Sequence, residues 1–230
     1  MKRFYKHVSV GRADNGFTVL LDSKVVRTPG RNMLVLPTER LADAIAQEWR
    51  GQGGEVVATT MPLLRLANTA VDGAEANRAD VINTILRFGE NDLLCYRVHQ
   101  PPQLAVRQRE AWDPLLDWVA RKHGANLRVV QGLTHVDQPV EALAALHQGL
   151  EQFDGFTLVA LHVIASITGS AVLALAAADG FVSGENAFAL SRIDETYQAE
   201  KWGEDAEAAR RARKLAHELV KAVELMAAVR

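Results

Sequence analysis

Acid, amide and indole are concentrated most densely between Asp194 and Asp205, in the run Asp194-Glu195-Thr196-Tyr197-Gln198-Ala199-Glu200-Lys201-Trp202-Gly203-Glu204-Asp205. On a helix, Glu195, Gln198 and Trp202 share one stripe at i, i+3 and i+7, with Asp205 expected a further turn along. A large apolar ring flanked by a carboxylate and an amide suits protein recognition, because the ring anchors and the polar groups fix orientation. The competing reading places Trp202 in the core and leaves the acids as a solvated face. The residue types alone weigh the two equally.

Catalytic constellations are harder to assemble. Neither a phosphate-binding G-x-x-x-x-G-K-[ST] nor a dinucleotide-binding G-x-G-x-x-G is present, and Gly51-Gln52-Gly53-Gly54 reads as a turn. The seven histidines are scattered, with no H-E-x-x-H, so no metal site is expected. Thr168-Gly169-Ser170 lacks the G-x-S-x-G pattern of a nucleophile elbow and reads as a helix break. Glu90 with Asp92, or Asp194 with Glu195, are the remaining carboxylate pairs; adjacent acids on a helix diverge, which argues against the second as a dyad. The single cysteine, Cys95, lies in Leu93-Leu94-Cys95-Tyr96, excludes an internal disulfide and reads as a small buried hydrophobe. No cofactor is called for.

The elements that must carry these residues change character along the chain. Segments 4–10, 17–21, 24–27 and 33–36 are short and rich in β-branched and aromatic residues. Asn15-Gly16, Asp22-Ser23 and Pro29-Gly30 punctuate them, which predicts a small antiparallel sheet. Thr38 is placed to cap a helix through Arg50, and a further short strand is expected over 55–58. From Met61-Pro62 onward the period is helical. Helices are predicted over 63–71, 79–88, 104–121 (Pro114 being tolerable only in a first turn), 140–153, 187–202 and 204–229, with a short extended piece at 127–130. The fold class is therefore α+β: a small N-terminal antiparallel β-rich domain, residues 1–60, followed by a larger, mostly α-helical domain, residues 61–230.

Composition narrows the partners. A chain of 230 residues with 48% hydrophobic and 23% charged residues has ordinary globular composition. Its formal net charge of -2 provides no basic field for nucleic acid, and Arg210, Arg211, Arg213 and Lys214 are offset by Glu204, Asp205 and Glu207. Residues 158–178 are long enough and nearly uncharged enough to invite a membrane-span reading. Their alanine, serine, threonine and glycine content, His162, and the flanking Asp154 and Asp179 favour two buried helices instead. The N-terminus lacks signal-peptide patterning, so a cytoplasmic location is expected.

A series of short motifs then recurs in a fixed order. Arg3-Phe4-Tyr5-Lys6, Thr28-Pro29, Leu36-Pro37-Thr38, Ala46-Gln47-Glu48-Trp49 and Met61-Pro62-Leu63 lead into Asn91-Asp92-Leu93-Leu94-Cys95-Tyr96-Arg97. Gln108 with Trp112-Asp113-Pro114-Leu115-Leu116, Thr168-Gly169-Ser170 and Asp194-Glu195-x-x-Gln198-x-x-x-Trp202-Gly203 follow. The set resembles the F-type ATP synthase assembly chaperones that act on the alpha subunit of the catalytic head. That resemblance implies a non-enzymatic protein that binds the unassembled alpha subunit and protects it until it pairs with the beta subunit. It also places the family's functionally important acid on Glu195. Expected client-binding residues are Glu195, Gln198, Trp202 and Asp205, with a monomer favoured. Trp49 is expected in the core; Asp92, Tyr96 and Arg97 suit either a structural network or a client-facing one. The alternative is a small hydrolase or nucleotide-dependent enzyme using Glu195 and Asp92 in an acidic interdomain cleft.

Overall fold

The computed structural model describes residues 1–74, 76–132 and 134–230. It is α+β, with a small antiparallel sheet near the N-terminus followed by a mostly helical region. Packing divides the chain into two compact units. The first comprises Met1–Arg78, Asp154–Ala160 and Glu224–Arg230, and the second Ala79–Phe153 and Leu161–Val223. The first unit thus continues past the change of period at Met61 and draws in two segments from far along the chain.

In the first unit, β1 (Val8–Ala13), β2 (Gly16–Leu21) and β3 (Lys24–Val25) form an antiparallel meander. The β2–β3 turn is Asp22-Ser23, whose φ angles of 47° and 68° give the doubly left-handed geometry that matches strand twist. The Asp22 carboxylate accepts from the backbone of Lys6 (3.0 Å) and His7 (2.8 Å). Those amides are therefore taken by a side chain rather than a ladder, and β1 begins at Val8 instead of at residue 4. It also runs through Gly11, which pairs with Thr18. The expected strands over 33–36 and 55–58 shrink to isolated bridges, Arg27 with Met33, Phe17 with Leu36 and Lys2 with Glu55. Residues 58–60 form a 3₁₀ turn.

Helix α1 (Glu39–Arg50) starts where Thr38 accepts from Leu41 N at 3.1 Å, and packs on β1 and β2. Trp49 is buried, its ring edge-on to Tyr5 at 5.4 Å, while the Tyr5 hydroxyl donates to the Trp49 carbonyl at 2.7 Å. That is a core position. Helix α2 (Pro62–Thr69) has no side-chain cap of its own, and Glu48 supplies one, accepting from Leu63 N at 2.8 Å and Leu64 N at 2.9 Å. A π-helical turn (Ala70–Ala74) follows, and its Asp72 accepts from Gly30 N at 2.8 Å and Asn32 Nδ2 at 2.9 Å, fixing the loop in which Arg31 has a φ of 66°.

The remaining helices are α3 (Arg78–Glu90), α4 (Pro102–His123), α5 (Val140–Leu150), α6 (Gly155–Thr168), α7 (Ala171–Ala178), α8 (Gly184–Ser191), α9 (Ile193–Trp202) and α10 (Ala206–Val229). A parallel pair, β4 (Tyr96–Arg97) and β5 (Val130–Gln131), lies among them. Helix α4 begins at Pro102, so Pro114 falls in its interior and not in a first turn. It is tolerated because that face is exposed and water can serve the orphaned carbonyl. The apolar stretch breaks at Gly169 (φ 69°) into α6 and α7, and all eight residues of α7 are buried. No helix among the described residues is long and apolar enough to cross a membrane.

Asp92 organises this core. It has no exposed surface, and it accepts from Leu94 N and, at the start of α7, from Val172 N, each at 3.1 Å. Burial pushes its carboxyl from 3.8 up to about 6 despite these donors. The neighbouring Cys95 thiol is also buried and is pushed up to about 12, first by burial and then by Asp92, which leaves it inert. Between about pH 4 and 6 the folded chain holds a proton on Asp92 that the unfolded chain has released, so this group's contribution to stability falls as pH rises. Parallel denaturant titrations of the parent and Asp92→Asn should show the parent's advantage declining by roughly 3 kcal/mol across that window. An advantage independent of pH would contradict a raised carboxyl.

Candidate docking surface

The acidic, indole-bearing run forms α9 and the turn after it. Helix α8 stops at Ser191 where a single helix over 187–202 was expected, for an identifiable reason. The Trp112 indole of α4 donates to the Leu190 carbonyl at 2.8 Å, and the Ser191 hydroxyl donates to the Phe188 carbonyl at 2.8 Å. Carbonyls of the last turn of α8 are thus drawn to side chains, and Arg192 (φ -115°, ψ 20°) leaves the helical path.

One face of α9 is committed to α4. Gln108 Nε2 donates to Asp194 Oδ1 at 2.7 Å, Arg107 pairs with Glu200 at 2.7 Å, and buried Tyr197 lies under the Arg107 guanidinium at 5.3 Å. Residues 195, 198 and 202 fall about 100° around the helix from 194, 197 and 201. They point outward. Glu195, Gln198 and Trp202 are all exposed, Trp202 at 78%. A core role for Trp202 is thereby excluded.

Asp205 does not continue this helix. Gly203 takes a φ of 92° and ends α9, and Asp205 caps α10 instead, its Oδ1 accepting from Ala208 N at 2.7 Å. The turn nevertheless brings it alongside the others. Glu195, Gln198, Trp202 and Asp205 line one groove of about 450 Å³, together with Phe188, Ala208 and Ala212. Arg192, which sequence reasoning passed over, also lines it and pairs with Glu195 at 2.6 Å. The i, i+3 spacing of Arg192 and Glu195 was its signal.

Acid–base chemistry has no foothold in this arrangement. Asp92 and Glu195 both belong to the second unit. Asp92 is sealed in the core against backbone amides, whereas Glu195 is half exposed. Asp194 and Glu195 diverge as expected, one bound to Gln108 and the other facing the groove. Among the described residues no three His, Cys, Asp or Glu side chains gather as metal ligands. Arg210, Arg211, Arg213 and Lys214 are exposed on α10.

Residues 2–120 match the ATP12 chaperone protein family. The chain belongs to that family. A curated relative, the mitochondrial protein atp12 of Schizosaccharomyces pombe, is 26% identical over 220 residues, covering 89% of this chain and 75% of the relative. The crystal structure of Atp12 from Paracoccus denitrificans superposes with a TM-score of 0.95 at 38% identity, covering 100% of this chain and 98% of that one. A solved protein from Agrobacterium tumefaciens gives a TM-score of 0.96 at 43% identity, with 100% and 86% covered. Membership of the ATP12 family makes the protein a non-enzymatic chaperone of ATP synthase assembly.

The two tryptophans of this region should separate structural from surface roles. Trp112→Ala, at a site only 1% exposed, should destabilise the fold by about 3–5 kcal/mol in denaturant unfolding. Trp202→Ala should change stability by less than about 0.5 kcal/mol. A comparable loss for both would mean that Trp202 is not a free side chain.

Proposed function

We propose that the protein binds the unassembled alpha subunit of the F-type ATP synthase and shields it until it pairs with the beta subunit, gripping it through the outward face of α9. The observation that carries this reading is the exposure of Trp202 within a groove also lined by Glu195, Gln198, Asp205 and the apolar Phe188. A free subunit exposes an apolar interface that would otherwise self-associate, and a chaperone of assembly must cover it reversibly. An exposed indole provides buried area on docking at little cost in rotamer freedom. The Glu195–Arg192 pair is half exposed and worth only about 0–1 kcal/mol, so a client cation can compete for the carboxylate.

The chain acts as a monomer in this reading, with both units formed from one polypeptide. Its site of action is the cytoplasm. Supporting this, the two bacterial structures share 38% and 43% identity with it against 26% for the mitochondrial relative.

Purified chain mixed with isolated alpha subunit should suppress its aggregation and co-elute with it. Glu195→Lys should leave unfolding within about 1 kcal/mol of the parent, since it breaks only an exposed ion pair. The same change should weaken the complex at least tenfold, about 1.4 kcal/mol. A parent protein that does not associate with alpha subunit at all would defeat the proposal.

A further inference from the structure

Away from α9, β4, β5 and the first turns of α4 enclose a second hollow, of about 570 Å³. Its floor contains a guanidinium with unmet demand. The Arg97 side chain is only 7% exposed; its Nε donates to the Leu94 carbonyl at 2.8 Å and the group lies over the Trp112 ring at 5.2 Å. Nη2 approaches Asp113 Oδ1 to 2.9 Å, an ion pair without a well-aligned N–H···O bond, and Nη1 has no partner among the described residues. Among the described residues neither terminal nitrogen makes a well-aligned hydrogen bond, although both are buried. A planar guanidinium in this condition is complementary to a two-oxygen acceptor, above all a carboxylate.

The surroundings define what carries that carboxylate. The charged groups lining the hollow are Arg97, Arg109 and Asp113, a surplus of positive charge. Asp113 is 54% exposed, so water already weakens its hold on Arg97. The rim has an aliphatic edge, Val106 and Val129, exposed at 39% and 46%, beside the exposed polar residues His99, Gln100 and Gln131. A small free anion would leave that apolar edge wet. A peptide bearing an acidic residue between apolar ones would cover it.

We infer that this hollow is a second client contact, receiving an Asp or Glu side chain of an apolar client segment on Arg97 and Arg109 while its neighbours seat against Val106 and Val129. This rests on the client reading above. Arg97 sets the position of the acceptor from below, and Arg109, exposed on α4, closes on it from the side. The contact is separate in sequence from α9, so loss of one grip leaves the other in place.

The test uses the full chain and isolated alpha subunit as the probe. Arg109→Glu should weaken the complex at least tenfold with unchanged thermal unfolding, Arg109→Lys should stay near the parent, and Arg121→Glu, the same charge change at the far end of α4, should have no effect. A photo-crosslinking residue at position 129 should label the alpha subunit within a few residues of an Asp or Glu. If the parent binds alpha subunit but Arg109→Glu binds equally well, or position 129 crosslinks to nothing, this inference falls and the α9 grip stands. If the parent forms no complex with alpha subunit, both readings fall together.

Discussion

The position of α9 depends on two buried side chains of α4. Gln108 is wholly buried, and its amide spans two separate segments, accepting from Val98 N at 2.9 Å and donating to Asp194 at 2.7 Å. One turn along, Trp112 takes the Leu190 carbonyl. A buried amide left unpaired costs about 1–3 kcal/mol, so α9 cannot rotate without orphaning Gln108. Because Asp194 must face α4, its neighbour Glu195 must face water. The outward stripe is thus set by a hydrogen bond on the opposite side of the helix.

A similar economy recurs where helices begin. Glu48 caps α2 from α1, Asp92 caps both the 3₁₀ turn Leu93–Cys95 and α7, and Asp72 holds the loop at Gly30. In each case a carboxylate accepts amides that no helical bond can use. Three acids that might look catalytic are thereby consumed by architecture. At the α9 groove Asp205 caps α10 in the same way, whereas Glu195 is exposed and pairs with Arg192.

Much of this was legible in the residues. The α+β class, the Thr38 cap, the break at Gly169 and the stripe of Glu195, Gln198 and Trp202 follow from spacing and turn chemistry. Two of the errors originate in contacts distant along the chain. Asp22 captures the amides of Lys6 and His7 and so delays β1, while Trp112 stops α8 before its periodic pattern ends. Neither partner lies within any local window. Asp205 was misplaced because Gly203 ends α9 with a positive φ, after which the same aspartate finds a use as a cap. The Arg97 hollow left no trace in the sequence, since Arg97, Arg109 and Val129 are joined only by the fold.

The first unit closes on the end of the chain: Thr38 donates its hydroxyl to the carbonyl of Ala228, and Arg40 donates to that of Ala227 at 3.1 Å. Ribosomal synthesis delivers residue 38 long before residue 228. The partners of Thr38 and Arg40 therefore arrive only with the last turn of α10. A chaperone of assembly thus passes through an unfinished state of its own, and a truncation that removes residues 227 and 228 leaves Thr38 and Arg40 without these partners.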